Sequence, residues 1–140
     1  MIINAYEIFE QFELADTIER KKEVLIKNGS HWFKYILKCA FDPSIEFYVK
    51  EFPSDYIVPN TVPGIRDGGL ESEWRRLYLF MKGNETSDAL TEQKRNVLLL
   101  QFLEGMEPKD AVITINMMKK DFGIKGLTKE LVLEVFPGLF

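Results

Sequence analysis

Lys119-Lys120-Asp121-Phe122-Gly123-Ile124-Lys125-Gly126-Leu127-Thr128 is the stretch on which the reading of this chain turns. Met117 and Met118 close one helix before it, and a short apolar helix follows it, capped by Thr128 and stopped by Pro137. Gly123 and Gly126 lack a Cβ, so the backbone there can take positive φ or come close to another surface. A glycine-bearing turn with cationic side chains, leading into a helix start, is an arrangement that holds an anion. The unbonded N–H groups and the helix dipole both favour negative charge, and phosphate is the obvious candidate.

Working outward, the preceding helix starts at Pro108, whose missing N–H costs nothing in the first helical position. Ala111, Val112, Ile115 and Met118 are expected on its core side. Upstream, Gly105 stops a helix opened by Thr91 or Asp88; it is apolar almost all round near Val97-Leu98-Leu99-Leu100 and is expected inside the bundle. Glu71 to Lys82 reads as a further helix, with Trp74, Leu77, Tyr78, Phe80 and Met81 opposite Arg75-Arg76. Those two arginines read either as phosphate contacts or as partners for Glu71 and Glu73.

At the other end, residues 2–14 place Ile2, Ala5, Tyr6, Phe9 and Phe12 at helical spacing. Asp16 with Glu19 matches a capping box for a second helix, which ends at Asn28-Gly29. Its Arg20-Lys21-Lys22 cluster reads as a solvated face between Glu19 and Glu23. Ser30 opens a third helix, His31 to Phe41, with a broad apolar face suited to the centre of the core, and Asp42-Pro43 breaks it. His31 has no second histidine and no nearby cysteine to share a metal with. Ser44 to Phe52 is compatible with a short strand or one more helical turn. A long Pro/Gly-rich loop spans 53–69, and loops above about 12 residues are usually functional or mobile. The expectation is an all-α domain, 1–140, forming a single bundle of six or seven helices.

Bulk composition narrows the function. With 140 residues the chain is long enough for one well-formed core, and 46% hydrophobic and 29% charged residues is ordinary globular composition. Eleven Phe, five Tyr and two Trp point to an aromatic-rich core. The net charge of -4, from 18 Lys and Arg against 22 Asp and Glu, excludes a surface that grips nucleic acid all over, so any such grip is local. One cysteine, Cys39, and one histidine exclude an internal disulfide and Cys/His zinc chemistry. No segment reads as a signal peptide or membrane span, which sets the expected compartment as the cytoplasm of a bacterium or infected host cell. No metal or cofactor is implied. Carboxylates form no spaced pair on an apolar face, and no Ser/His/Asp, Cys/His or phosphate-loop signature occurs.

Lys120-Asp121-Phe122 through Phe136-Pro137-Gly138-Leu139 resembles the end of the N-terminal DNA-binding domain of ATP-dependent DNA ligases, especially those of T-even-type bacteriophages. Phe47-Tyr48-Val49-Lys50-Glu51-Phe52-Pro53 is similar to the aromatic segment of that domain. Over nearly its full length the chain also resembles small stand-alone proteins of tailed phages. That likeness rests on Ala40-Phe41-Asp42-Pro43, Trp74-Arg75-Arg76-Leu77-Tyr78-Leu79-Phe80, Leu103-Glu104-Gly105 and Gly126-Leu127-Thr128.

The ligase resemblance implies a helical clamp arm that holds duplex DNA by its sugar-phosphate backbone. Lys119, Lys120, Lys125, Gly126, Thr128 and Lys129 would then be the contacts, with Arg75 and Arg76 auxiliary. The nucleotidyltransferase lysine motif, Lys-x-Asp-Gly, is missing; Lys120-Asp121-Phe122-Gly123 has its Asp in the wrong place. The expectation is a non-enzymatic, sequence-nonspecific binder of duplex DNA. The alternative is a protein-protein adaptor in a phage or host replication or transcription complex. In that role Leu139-Phe140 either plugs a groove on a partner or folds back on the core.

Overall fold

A computed structural model describes residues 4–57 and 69–140. The first three residues and most of the expected 53–69 loop therefore lie outside the described residues. Those described form an all-helical fold: α1 (Ala5–Leu14), α2 (Ile18–Lys27), α3 (His31–Phe41), α4 (Leu70–Glu73), a 3-10 helix (Trp74–Phe80), α5 (Glu85–Asp88), α6 (Glu92–Glu104), α7 (Pro108–Met118) and α8 (Lys129–Val135). The count exceeds the expected six or seven because α4 and α5 are single short turns.

Capping residues set the helix starts. Thr17, Thr91 and Thr128 each accept, through Oγ1, the N–H three residues on, at 3.1 Å. The second helix is thus capped by Thr17 and not by Asp16, which instead pairs with Arg20 at 3.4 Å. Asn84 accepts from Thr86 and Ser87 and opens α5, a turn the sequence reading leaves out.

The helix expected over 71–82 is a short α-turn followed by a 3-10 helix. Trp74, Leu77 and Phe80 recur every three residues, so the tighter 3-10 winding aligns them on one side; Leu77 and Phe80 are buried and Trp74 half-buried. Ser44 to Phe52 supplies neither a full strand nor a helical turn. Phe47 makes an isolated antiparallel bridge with Met81, held by Tyr48 N–H to Phe80 O (2.9 Å) and Lys82 N–H to Glu46 O (2.8 Å).

α7 lies at the centre, packed against α1, α3 and α6. It buries Ala111, Ile113, Thr114, Ile115, Met117 and Met118, whereas Val112, expected inside, is 46% exposed. α3 contributes Phe33, Ile36, Leu37, Cys39 and Ala40 to the same core. α6 is a surface helix: it buries Leu99, Phe102 and Leu103 on one side and exposes Val97 on the other, against its expected position inside the bundle.

Asp110, fully buried on α7, ties two other helix starts to the centre. Its Oδ1 accepts from Tyr6 N (2.9 Å) and its Oδ2 from Leu70 N (3.0 Å). Gly69 permits this approach, since a Cβ there would fall 2.3 Å from Asp110 Oδ2. α8 packs on α2, and Phe136, Leu139 and Phe140 lie against the core. The carboxyl-terminal tail therefore folds back as a lid.

Candidate nucleic-acid interface

α7 ends in a Schellman turn. Asp121 N–H donates to Asn116 O and Lys120 N–H to Met117 O, both at 3.0 Å, while Lys120 takes φ 66°. Glycine usually fills that left-handed position, because a Cβ there costs about 1 kcal/mol. Lys120 occupies it with its side chain turned inward: Nζ donates to Cys39 O at 2.5 Å and Asp42 O at 2.8 Å. The ammonium thus satisfies carbonyls at the end of α3, where the helix dipole also favours a cation. Burial draws the Lys120 ammonium below its usual range, and burial pushes the adjacent Cys39 thiol up to about 12.

The bend itself is pinned by apolar side chains. Phe122 is buried between Phe9 (ring centroids 4.8 Å) and Phe41 (5.9 Å), and burial of such a ring is worth about 2 kcal/mol. Asp121 Oδ1 accepts from Gly123 N (2.9 Å), and Gly123 adopts φ 69°. Leu127 N–H closes a turn on Ile124 O (3.2 Å) with Gly126 at φ 87°, a conformation that favours glycine in the third position. With Phe122 and Leu127 inward, the side chains of Lys119, Lys125, Thr128 and Lys129 are exposed.

Among the described residues no carboxylate lies within 4 Å of the ammonium groups of Lys119, Lys125 or Lys129. Two concavities flank the bend. One, of about 570 Å³, is lined by Gly126, Thr128, Lys125 and Lys21 together with Glu13, Glu130 and Glu134; Glu134 pairs with Lys22 at 2.5 Å. The other, of about 390 Å³, carries Lys50, Lys120 and Lys129 beside Glu46.

The expected contact set is therefore reduced and rearranged. Lys119, Lys125, Gly126, Thr128 and Lys129 are each exposed along the stretch from the end of α7 to the start of α8, with Lys125, Gly126 and Thr128 on one concavity and Lys129 on the other, whereas the Lys120 ammonium is committed to the Cys39 and Asp42 carbonyls. Arg76 pairs with Glu73 at 3.6 Å, and the Arg75 guanidinium lies 5.2 Å from the Trp74 ring. Neither arginine lines the concavities beside the bend. Lys50, which sequence spacing gave no reason to place here, joins the corner. Lys21 does not stand on a solvated face: its Nζ donates to Phe12 O at 2.9 Å and its stem packs on Gly126. His31 is exposed, edge-on to Trp74 at 5.4 Å.

Fold and site together define a helical module with a cation-bearing bend between α7 and α8, held by the Lys120 hydrogen bonds and the buried Phe122. Residues 8–124 match a family described as "Family of unknown function (DUF6433)", and the chain belongs to it. No curated protein matches. The fold is similar to that of a ligase-related solved structure, "Pmar-Lig_Pre.", with a TM-score of 0.65 and 20% sequence identity; the match covers 96% of this chain and 29% of that one. The chain thus spans less than a third of that ligase-related chain. Among the described residues no helix is long and apolar enough to cross a membrane.

Proposed function

We propose that this protein is a non-catalytic module that binds the sugar-phosphate backbone of duplex DNA without sequence preference, through Lys119, Lys125 and Lys129 and the backbone around Gly126 and Thr128. The observation that carries this reading is the exposure of three ammonium groups on one fixed bend, with no carboxylate within 4 Å among the described residues. The fold likeness to part of a ligase-related structure supports it.

Phosphate contacts position a protein on DNA but carry no base information, so such a corner binds without regard to sequence. The net charge of -4 keeps the rest of the surface out of the contact and limits affinity to about the micromolar range at physiological salt. Titrating unrelated duplexes of equal length against the protein tests the reading. Equal affinities that fall steeply with salt are expected, and affinity that depends on sequence but not on salt would refute it.

A second reading, an adaptor for a replication or transcription partner, draws on one observation. Leu14 is 84% and Ile18 62% exposed, and Ile18 lines the concavity that also holds Gly126. Pull-down with and without nuclease separates the two, because an adaptor keeps its partner after the DNA is digested.

A further inference from the structure

The two hollows beside the bend differ in charge. In the larger, of about 570 Å³, the carboxylates of Glu13 and Glu130 are exposed and have no cation within 4 Å among the described residues. Lys21 lines the same hollow but gives its Nζ to Phe12 O at 2.9 Å, which leaves Lys125 to face them. A phosphate entering there meets two uncompensated carboxylates, and like charges at short range repel.

The smaller hollow, of about 390 Å³, lies between the end of α3, the segment that follows it and the start of α8. Lys50 and Lys129 line it, both are exposed, and neither has a carboxylate within 4 Å among the described residues. Glu46, the carboxylate on its lining, is paired with Lys82 at 3.9 Å. The Lys129 ammonium stands 5.7 Å from the Phe140 ring, a contact that attracts a cation without neutralising it. Lys120 lines the hollow as well; its hydrogen bonds are spent on the Cys39 and Asp42 carbonyls, but its charge remains.

We infer that the DNA backbone lies on the α3 side of the bend, with a phosphate held between Lys50 and Lys129 over the smaller hollow, and that the acidic hollow is turned away from the duplex. The inference rests on the DNA reading above and adds to it a direction and a further contact, Lys50, which lies far from the bend in sequence. Two uncompensated ammonium groups on one hollow suit a phosphodiester, because charge-assisted contacts to phosphate oxygens are strong and need no base to read.

Fluorescence anisotropy with a short labelled duplex tests this with two pairs of single variants of the full chain, each pair changing the net charge equally. In the first, Lys50→Gln is compared with Lys94→Gln, an exposed lysine on α6 that lines neither hollow. Lys50→Gln is expected to weaken binding by about threefold or more and to make the log-log salt slope shallower by about 0.9, while Lys94→Gln leaves both nearly unchanged. In the second pair, Glu46→Gln is expected to tighten binding and Glu130→Gln to alter it little. All four side chains are exposed, so the melting temperatures should match that of the natural chain.

Equal losses for Lys50→Gln and Lys94→Gln overturn the contact, because only net charge then matters. Tightening by Glu130→Gln but not by Glu46→Gln places the duplex over the larger hollow and overturns the direction. Binding that Lys50→Gln leaves intact, yet that is lost when Lys119, Lys125 and Lys129 are all replaced by Gln, overturns this inference and leaves the DNA reading standing. A natural chain that shows no salt-dependent binding to duplex refutes the DNA reading itself, and this placement with it.

Discussion

The ammonium of Lys120 reaches the main-chain oxygen of Asp42, 78 positions earlier in the chain, at 2.8 Å, from a left-handed backbone conformation that lysine rarely takes. This one side chain fastens the start of the bend to the end of α3 and so fixes where the exposed lysines stand. It belongs to the scaffold of the corner and not to its contact surface.

Lys120→Met is accordingly expected to lower stability by about 1–3 kcal/mol, because the Cys39 and Asp42 carbonyls lose their donor. Urea unfolding measures this, and the salt dependence of DNA binding should keep its slope. A variant as stable as the natural chain but weaker on DNA would return Lys120 to the interface.

Cys39 gives a pH-dependent signature. Its thiol stays protonated in the folded chain up to about 12, while the unfolded thiol ionises near 9, so the folded state holds more protons in between. Its contribution is full below pH 9 and is lost as pH rises toward 12. Between pH 8 and 10 the natural chain should lose about 1 kcal/mol more than Cys39→Ala. Native protein at pH 8 should also resist thiol alkylation until it is unfolded; fast alkylation of the folded chain would contradict the burial.

How much of this was legible in the sequence depends on which interaction set each feature. Local chemistry was readable: Thr91 and Thr128 cap their helices, Pro108 begins α7, and Gly123 and Gly126 take positive φ. Tertiary contacts were not. Lys120 and Lys21 look like surface cations, and only the folded chain brings them onto carbonyls of α3 and α1. The spacing of Trp74, Leu77 and Phe80 was a visible sign of 3-10 winding, masked by Tyr78 and Met81, which fit an α-helical stripe equally well. Val97 and Leu98 made α6 look apolar all round, although its core contacts run through Leu99, Phe102 and Leu103.

Asp110 should be among the least replaceable side chains. Asp110→Ala leaves the N–H groups of Tyr6 and Leu70 without their acceptor inside the protein, and an expected loss of about 2–4 kcal/mol follows. Asp110→Asn, which keeps one acceptor oxygen, should lose less. Denaturant midpoints of the two variants and the natural chain give the comparison, and an Asp110→Ala variant as stable as the natural chain would show the carboxylate to be dispensable.

Removal of residues 137–140 tests the carboxyl-terminal lid. Leu139 and Phe140 pack on the core, so truncation should cost about 2 kcal/mol or more and lower the melting temperature. Unchanged melting would favour a tail that is free to dock elsewhere.

The central claim is tested most directly by the salt dependence of binding to a short fluorescein-labelled duplex, read by anisotropy, for the natural chain and for Lys119→Gln/Lys125→Gln/Lys129→Gln. The triple variant should melt like the natural chain, bind much more weakly, and show a log-log salt slope shallower by about 0.9 for each phosphate contact removed. Identical affinity and slope for the two proteins would contradict the assignment of the DNA contact to this corner.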